Sequence, residues 1–214
     1  MSPRAWLLPL ALLAMPLAQA AECELQLGHG WPPATGNHGD AVEALLASGT
    51  PPALQLTWLP TRGVESALML VPPANGGAWS LRHATPAQRV DHRESISNGV
   101  RRVLLTDQQP EVREVPIPET LAGRLVEGWT RTLRSGVAAD QEARFHDGEV
   151  LSFRIGDDRF SGPEPRCGAG ELLIEQAEAL IDAAGERDPD DFPKRWNALW
   201  RLLDELDREL ATAG

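Results

Sequence analysis

Residues 54–83 read LQLTWLPTRGVESALMLVPPANGGAWSLRH. Three extended segments lie within them. Leu54, Leu56 and Trp58 alternate with Gln55 and Thr57, a period of two that predicts a half-buried strand. Ala67 to Val71 is apolar on both faces, the pattern of a central strand. Trp79, Leu81 and His83 alternate with Ser80 and Arg82 after the turn residues Asn75-Gly76-Gly77, which makes them a hairpin partner.

Outward from this meander the same kind of signal continues. Leu25 and Leu27 predict a short opening strand. Asp40 suits the N-cap of a brief helix with Val42, Leu45 and Leu46 on one face and Gly49 as its stop. Asn98-Gly99 precedes an extended run from Val100 to Leu105, and Val112, Val115 and Ile117 form a weaker strand whose prolines suit an edge.

Near residue 118 the periodicity changes. Leu121, Leu125, Trp129 and Leu133 recur every four residues from Pro118 to Gly136, the stripe of an amphipathic helix. Asp147-Gly148 is a two-residue hairpin signal joining Arg144-Phe145-His146 to a strand with Leu151, Phe153 and Ile155 on one face. Two further helices follow, over about 170–184 and from Pro193 onward, the last with Trp196, Leu199, Trp200, Leu203, Leu206 and Leu210 on its apolar face. Strands and helices are segregated along the chain instead of alternating. The expected class is α+β: a mainly antiparallel sheet from the N-terminal half, packed against three C-terminal helices, with one inserted β-hairpin. The β-rich part covers 21–117. The helical part covers 118–214 with its hairpin at 143–156, and the two form one domain.

The first twenty residues predict a secretory signal peptide. Arg4 gives a positive start, Trp6 to Leu17 is an apolar run, and Ala18-Gln19-Ala20 places small residues before a cut at Ala21. Pro9 and Pro16 disfavour a spanning helix. Cys23 follows Glu22, where lipid attachment would need a small residue, so no lipid anchor is expected. The expected destination is the periplasm or the medium, with no membrane anchor after cleavage.

The net charge of −11 becomes −12 once Arg4 is removed. An acidic chain has no electrostatic basis for binding nucleic acid or anionic lipid. The two cysteines, Cys23 and Cys167, form an even pair in an oxidising compartment, which predicts a disulfide. Such a bond closes a loop of about 145 residues, which contributes about 4–5 kcal/mol in the chain-entropy model. The rival reading makes Cys167 a nucleophile ahead of a helix whose N-terminus lowers its pKa.

Candidate chemistry rests on few residues. His29 and His38 flank a Gly/Pro-rich loop with Asp40 two residues on, and imidazole plus carboxylate could hold zinc or a similar divalent ion. The competing reading is a turn-rich loop in which Asp40 caps a helix. Gly36-Asn37-His38 resembles a fragment of metallophosphoesterases, but the other motifs of that family are missing and its activity is not carried over. There is no Gly-x-Ser-x-Gly elbow and no phosphate-cradling glycine loop. An enzyme would need two of His29, His38, His83, His92 and His146 to converge with an acid or a serine. No motif calls for a cofactor, and none is expected.

Glu24 to Gly28, Trp31-Pro32-Pro33, Gly39 opening a helix, and Leu56 to Pro60 followed by Arg62 together resemble the start of bacterial periplasmic solute-binding proteins of the amino-acid-binding type. The resemblance covers 24–68 and implies that Trp31 and Arg62 lie near a ligand cleft. Beyond it, hairpin signals replace the βαβ repeats of that family. The leading expectation is an exported, non-catalytic binding or accessory protein of the cell envelope, with a protein or small molecule as its partner. A solute-binding protein and a His/Asp-dependent enzyme are the alternatives.

Overall fold

The computed structural model describes residues 23–213 apart from Asn75, so the predicted signal peptide lies outside the described residues. A seven-stranded antiparallel sheet is built from β1 (Gly28–His29), β2 (Leu54–Leu59), β3 (Ser66–Val71), β4 (Trp79–Thr85), β7 (Glu111–Ile117), β8 (Val150–Ile155) and β9 (Asp158–Gly162). Its strand order is β1-β9-β8-β2-β3-β4-β7. The remaining strands, β5 (Asp91–Ile96) and β6 (Gly99–Leu104), pair only with each other. The helices are α1 (Gly36–Ala47), α2 (Glu119–Gly136), α3 (Gly168–Ala184) and α4 (Phe192–Ala213), with a 3-10 turn at Pro189–Asp191 before the last. This is the expected α+β architecture.

The register of the sheet explains its two faces. Leu54 pairs with Leu70 and Ile155, and Leu56 with Leu68 and Phe153, so their side chains share one face. On that face Leu81, Leu151 and Phe160 join them beneath the stripes of α2, α3 and α4, including Leu125, Trp129, Leu173, Leu180, Leu199 and Leu206. Each fully buried leucine contributes about 2 kcal/mol relative to exposure. Trp129 donates its indole N–H to Gln176 Oε1 at 2.8 Å and meets Phe153 edge-on at 5.7 Å. Arg124 of α2 reaches Asp204 and Asp207 of α4, linking the two helices at the surface.

The opposite face carries Leu59, Ala67, Met69, Val71 and Ala84, covered by Val42 and Leu46 of α1. Because α1 lies there, β2 is buried on both sides, and Gln55 and Thr57 are buried along with Leu54 and Leu56. The half-buried pattern read from the sequence is therefore a polar row under a helix, not a solvated face.

Three local expectations are corrected. The hairpin expected at 143–156 lies one strand later: β8 pairs with β9 through Gly156-Asp157, where Gly156 has φ +59°. Such two-residue turns need positive φ. Phe160 of β9 supplies the buried aromatic, whereas Phe145 is 68% exposed on an irregular segment. Second, α1 begins at Gly36, so Asp40 is inside the helix and not its N-cap. The earlier start follows from Trp31, whose ring lies so close to Gly39 that a Cβ there would collide with it. Third, the opening strand is Gly28–His29, while Leu25 and Leu27 insert into the helix-side core.

Cys23 and Cys167 are joined in a disulfide with a Cα–Cα distance of 5.9 Å, as expected from the sequence. No described helix is long and apolar enough to cross a membrane.

Candidate functional site

Trp31, His38 and Asp40 gather at α1, where that helix covers the sheet. Trp31 donates its indole N–H to Asp40 Oδ1 at 2.8 Å. Arg159, on β9, places its guanidinium 4.6 Å from the Trp31 ring centroid, a cation–π contact. The same guanidinium lies 3.4 Å from Asp40 Oδ1 and 2.5 Å from Glu43 Oε2. Glu43 also accepts a bond from Ser152 of β8 at 3.0 Å. Glu43 is buried, and its position four residues after Gly39 puts it on the face of α1 that meets the sheet. A carboxylate there needs partners, because an unpaired buried charge is costly. Ser152 and Arg159 supply them.

His38 makes the second anchor. Its Nε2 donates to Glu65 Oε1 at 2.8 Å, and both side chains are buried. Glu65 Oε2 accepts from the Val90 N–H at 2.9 Å, and Oε1 from the Asp91 N–H at 3.2 Å. Burial pushes the Glu65 carboxyl up. The hydrogen bonds from His38, from the Val90 and Asp91 N–H groups and from its own N–H outweigh that, holding it down at about 2. An ionised carboxylate thus ties α1, the β2–β3 loop and the start of β5 together. Both members of this acid–imidazole pair are buried and bonded to each other, and the pair ties these elements together.

The other histidines are dispersed. His29 leans on Phe160 with ring centroids 4.9 Å apart. His83 sits on β4, where burial and then the Arg113 charge push its imidazole below the ordinary value. His92 is on the exposed β5, and His146 lines a surface groove. Among the described residues no three His, Cys, Asp or Glu side chains group closely enough to hold a metal ion. His29, His38 and Asp40 are thus not brought together: Phe160, Glu65 and Trp31 are their respective neighbours. Trp31 is held in the α1 cradle, while Arg62 stands in the exposed β2–β3 loop.

Two grooves among the described residues stand out on the surface. One, of about 390 Å³, runs between Glu24–Leu27 and Gln141–His146 and carries the exposed Phe145 at its rim. The other, of about 380 Å³, is lined by Glu164, Glu171, Glu175 and Glu178 beside Ile174. Neither is lined by Trp31 or Arg62.

The most distinctive surface element is the β5–β6 arm. It interrupts the β4–β7 hairpin, and both its faces are largely exposed. Asp91 pairs with Arg102 at 2.5 Å and Glu94 with Arg101 at 2.7 Å across the two strands. Ile96 and Val100, on either side of the Asn98-Gly99 turn, are 48% and 68% exposed. At its root Arg89 donates to the carbonyls of Pro60 and Thr61, and Val90 is fully buried. The arm is thus firmly rooted and free at its tip. An exposed ribbon needs no apolar alternation, which is why β5, reading DHRESI, gave no strand signal. The Asn-Gly turn was its visible trace.

Comparison with protein-family models, with curated proteins and with solved structures finds no match to this chain.

Proposed function

We propose that the protein is an exported, non-catalytic binding or accessory protein of the cell envelope that engages a protein partner through the β5–β6 arm. The observation that carries this reading is the arm itself. A two-stranded ribbon standing alone is marginally stable in water. This one keeps cross-strand ion pairs and a buried root while exposing Ile96 and Val100 at its tip. Unpaired strand edges with apolar side chains at a free tip are features that a partner can cover. Three polar side chains near α1 are engaged in holding the fold: His38 with Glu65, Asp40 with Trp31, and Glu43 with Ser152 and Arg159. The disulfide suits an oxidising compartment outside the cytoplasm, the periplasm or the medium.

The double variant Ile96→Asp/Val100→Asp tests this. Both sites are exposed, so the melting temperature stays within about 2 °C of the parent, because surface substitutions cost within about 0.5 kcal/mol. Association with envelope proteins, read by co-purification of a discrete component from the native host, falls at least tenfold. Undiminished association in a folded double variant would remove the arm as the binding element.

A further inference from the structure

The charges of the β5–β6 arm set it apart from the rest of the chain. Between residues 91 and 104 it carries Arg93, Arg101 and Arg102 against Asp91 and Glu94, so it is cationic in a chain whose net charge is −11. Each of its strands has six residues and reaches about 20 Å. Physiological salt screens a charge over about 8 Å. The acidic body is therefore largely screened at the tip, and the arm's own charges are what a partner meets.

The register divides those charges between two faces. On one, Glu94 stands opposite Arg101 and accepts a hydrogen bond from it, which leaves that face balanced. On the other, Arg93 stands directly opposite Arg102, and the next pair along the ribbon is Ser95 with the largely exposed Val100. Asp91 pairs with Arg102. Arg93 is exposed and, among the described residues, has no ion-pair partner. This face thus holds two guanidinium groups, one carboxylate and an apolar contact point.

Like charges directly opposite each other destabilise a strand pair, and a free two-stranded ribbon is marginal to begin with. An acidic residue at position 93 would face Arg102 and strengthen the arm, yet arginine stands there. A residue that works against its own element is expected where function takes precedence over stability.

Given the arm as the binding element, on which this rests, we propose that its Arg93–Arg102–Val100 face receives an acidic segment of another protein. A carboxylate of that segment lies against Arg93 and Arg102, and an apolar side chain beside it covers Val100. The planar guanidinium fork suits such a carboxylate. Two-fold association of this chain through the same face would set the patch against itself. That brings Arg93 and Arg102 against their own copies, so the occupant is a different protein.

A photo-cross-linking residue at position 97, in protein produced in its native host, reads the contact when the cross-linked peptide is sequenced by mass spectrometry. The expected peptide belongs to another protein and carries at least two Asp or Glu beside the attachment point. Arg93→Glu should lower the adduct yield at least tenfold, while Arg93→Lys retains it. The melting temperature of Arg93→Glu should equal or exceed the parent's, because the new carboxylate faces Arg102. Loss of the adduct from a sturdier arm separates recognition from folding. A neutral or basic peptide, a peptide from a second copy of this chain, or undiminished adduct in Arg93→Glu would overturn the acidic partner. If Ile96→Asp/Val100→Asp still abolishes that adduct, the arm itself stands as the binding element. No adduct from position 97 in folded, exported protein overturns both. The composition of the cross-linked peptide decides the matter even if Arg93→Glu is not exported.

Discussion

Replacing Glu65 by Gln is expected to destabilise the protein by about 3 kcal/mol at neutral pH and to remove part of its acid sensitivity. The Glu65 carboxyl is held at about 2 in the folded chain, against an ordinary value of 4.5. Its folded pKa is depressed, so its contribution is complete above about pH 4.5 and is lost as pH falls toward 2. A difference of that size corresponds to about 3 kcal/mol by linkage. Glutamine keeps the shape but offers one carbonyl oxygen in place of two charged acceptors for His38 and the Val90 and Asp91 N–H groups. The measurement is urea denaturation of parent and variant at pH 7 and pH 3. The gap between them should be wide at pH 7 and much narrower at pH 3. A gap of equal width at both would mean that Glu65 is not the titrating group. Glu94, Glu186 and Asp207 are also held down, chiefly by hydrogen bonds from Arg101, from the Asp188 N–H, and from Arg131 and Arg124 against desolvation. They are common to both proteins and cancel in the comparison.

A larger loss is expected from Trp129→Ala. Trp129 is fully buried where α2 faces the sheet, and large aromatic-to-alanine changes in cores cost about 3–5 kcal/mol. The variant also leaves Gln176 Oε1 without its donor, since the indole N–H supplies that bond. For a chain of this size the melting temperature should fall by about 10 °C or more. Trp129→Phe retains much of the apolar volume and should lose distinctly less. A fall of under about 4 °C for alanine would place the helix–sheet core elsewhere than described.

The parts of the fold that were legible in the sequence are those whose periodicity is enforced by burial on one side. β2, β3 and β4 alternate or run apolar because α2, α3 and α4 cover them, and those helices show their stripes for the same reason. β9 was missed because DRFSG packs chiefly through Phe160, with Gly162 closing on the backbone of Gln26. Asp147-Gly148 then drew the hairpin to the wrong place, since a turn dipeptide carries no record of whether the segments beside it pair. The start of α1 was illegible because Gly-Asn-His has no helical pattern of its own, and a tryptophan five residues earlier decides it.

The site was legible by residue but not by role. Trp31, His38 and Asp40 stand out in the sequence; Trp31 and Asp40 meet each other, but the partners of His38 and of the buried Glu43 are distant. Glu65 follows His38 by 27 residues, and Arg159 follows Glu43 by 116. Glu43 left one detectable trace, an acidic residue beside Val42 and Leu46 on the buried face of α1. The disulfide, by contrast, followed from two cysteines and a compartment.

The account rests on the β5–β6 arm being a binding element. A photo-cross-linking residue in place of Ser97, at the tip of the arm, tests this most directly when the protein is produced in its native host. A control carries the same residue at Glu205, on the exposed side of α4. The account predicts a discrete protein adduct from position 97 that is absent from position 205 and abolished by Ile96→Asp/Val100→Asp. Equal labelling from both positions, or none from position 97 in folded, exported protein, would contradict it.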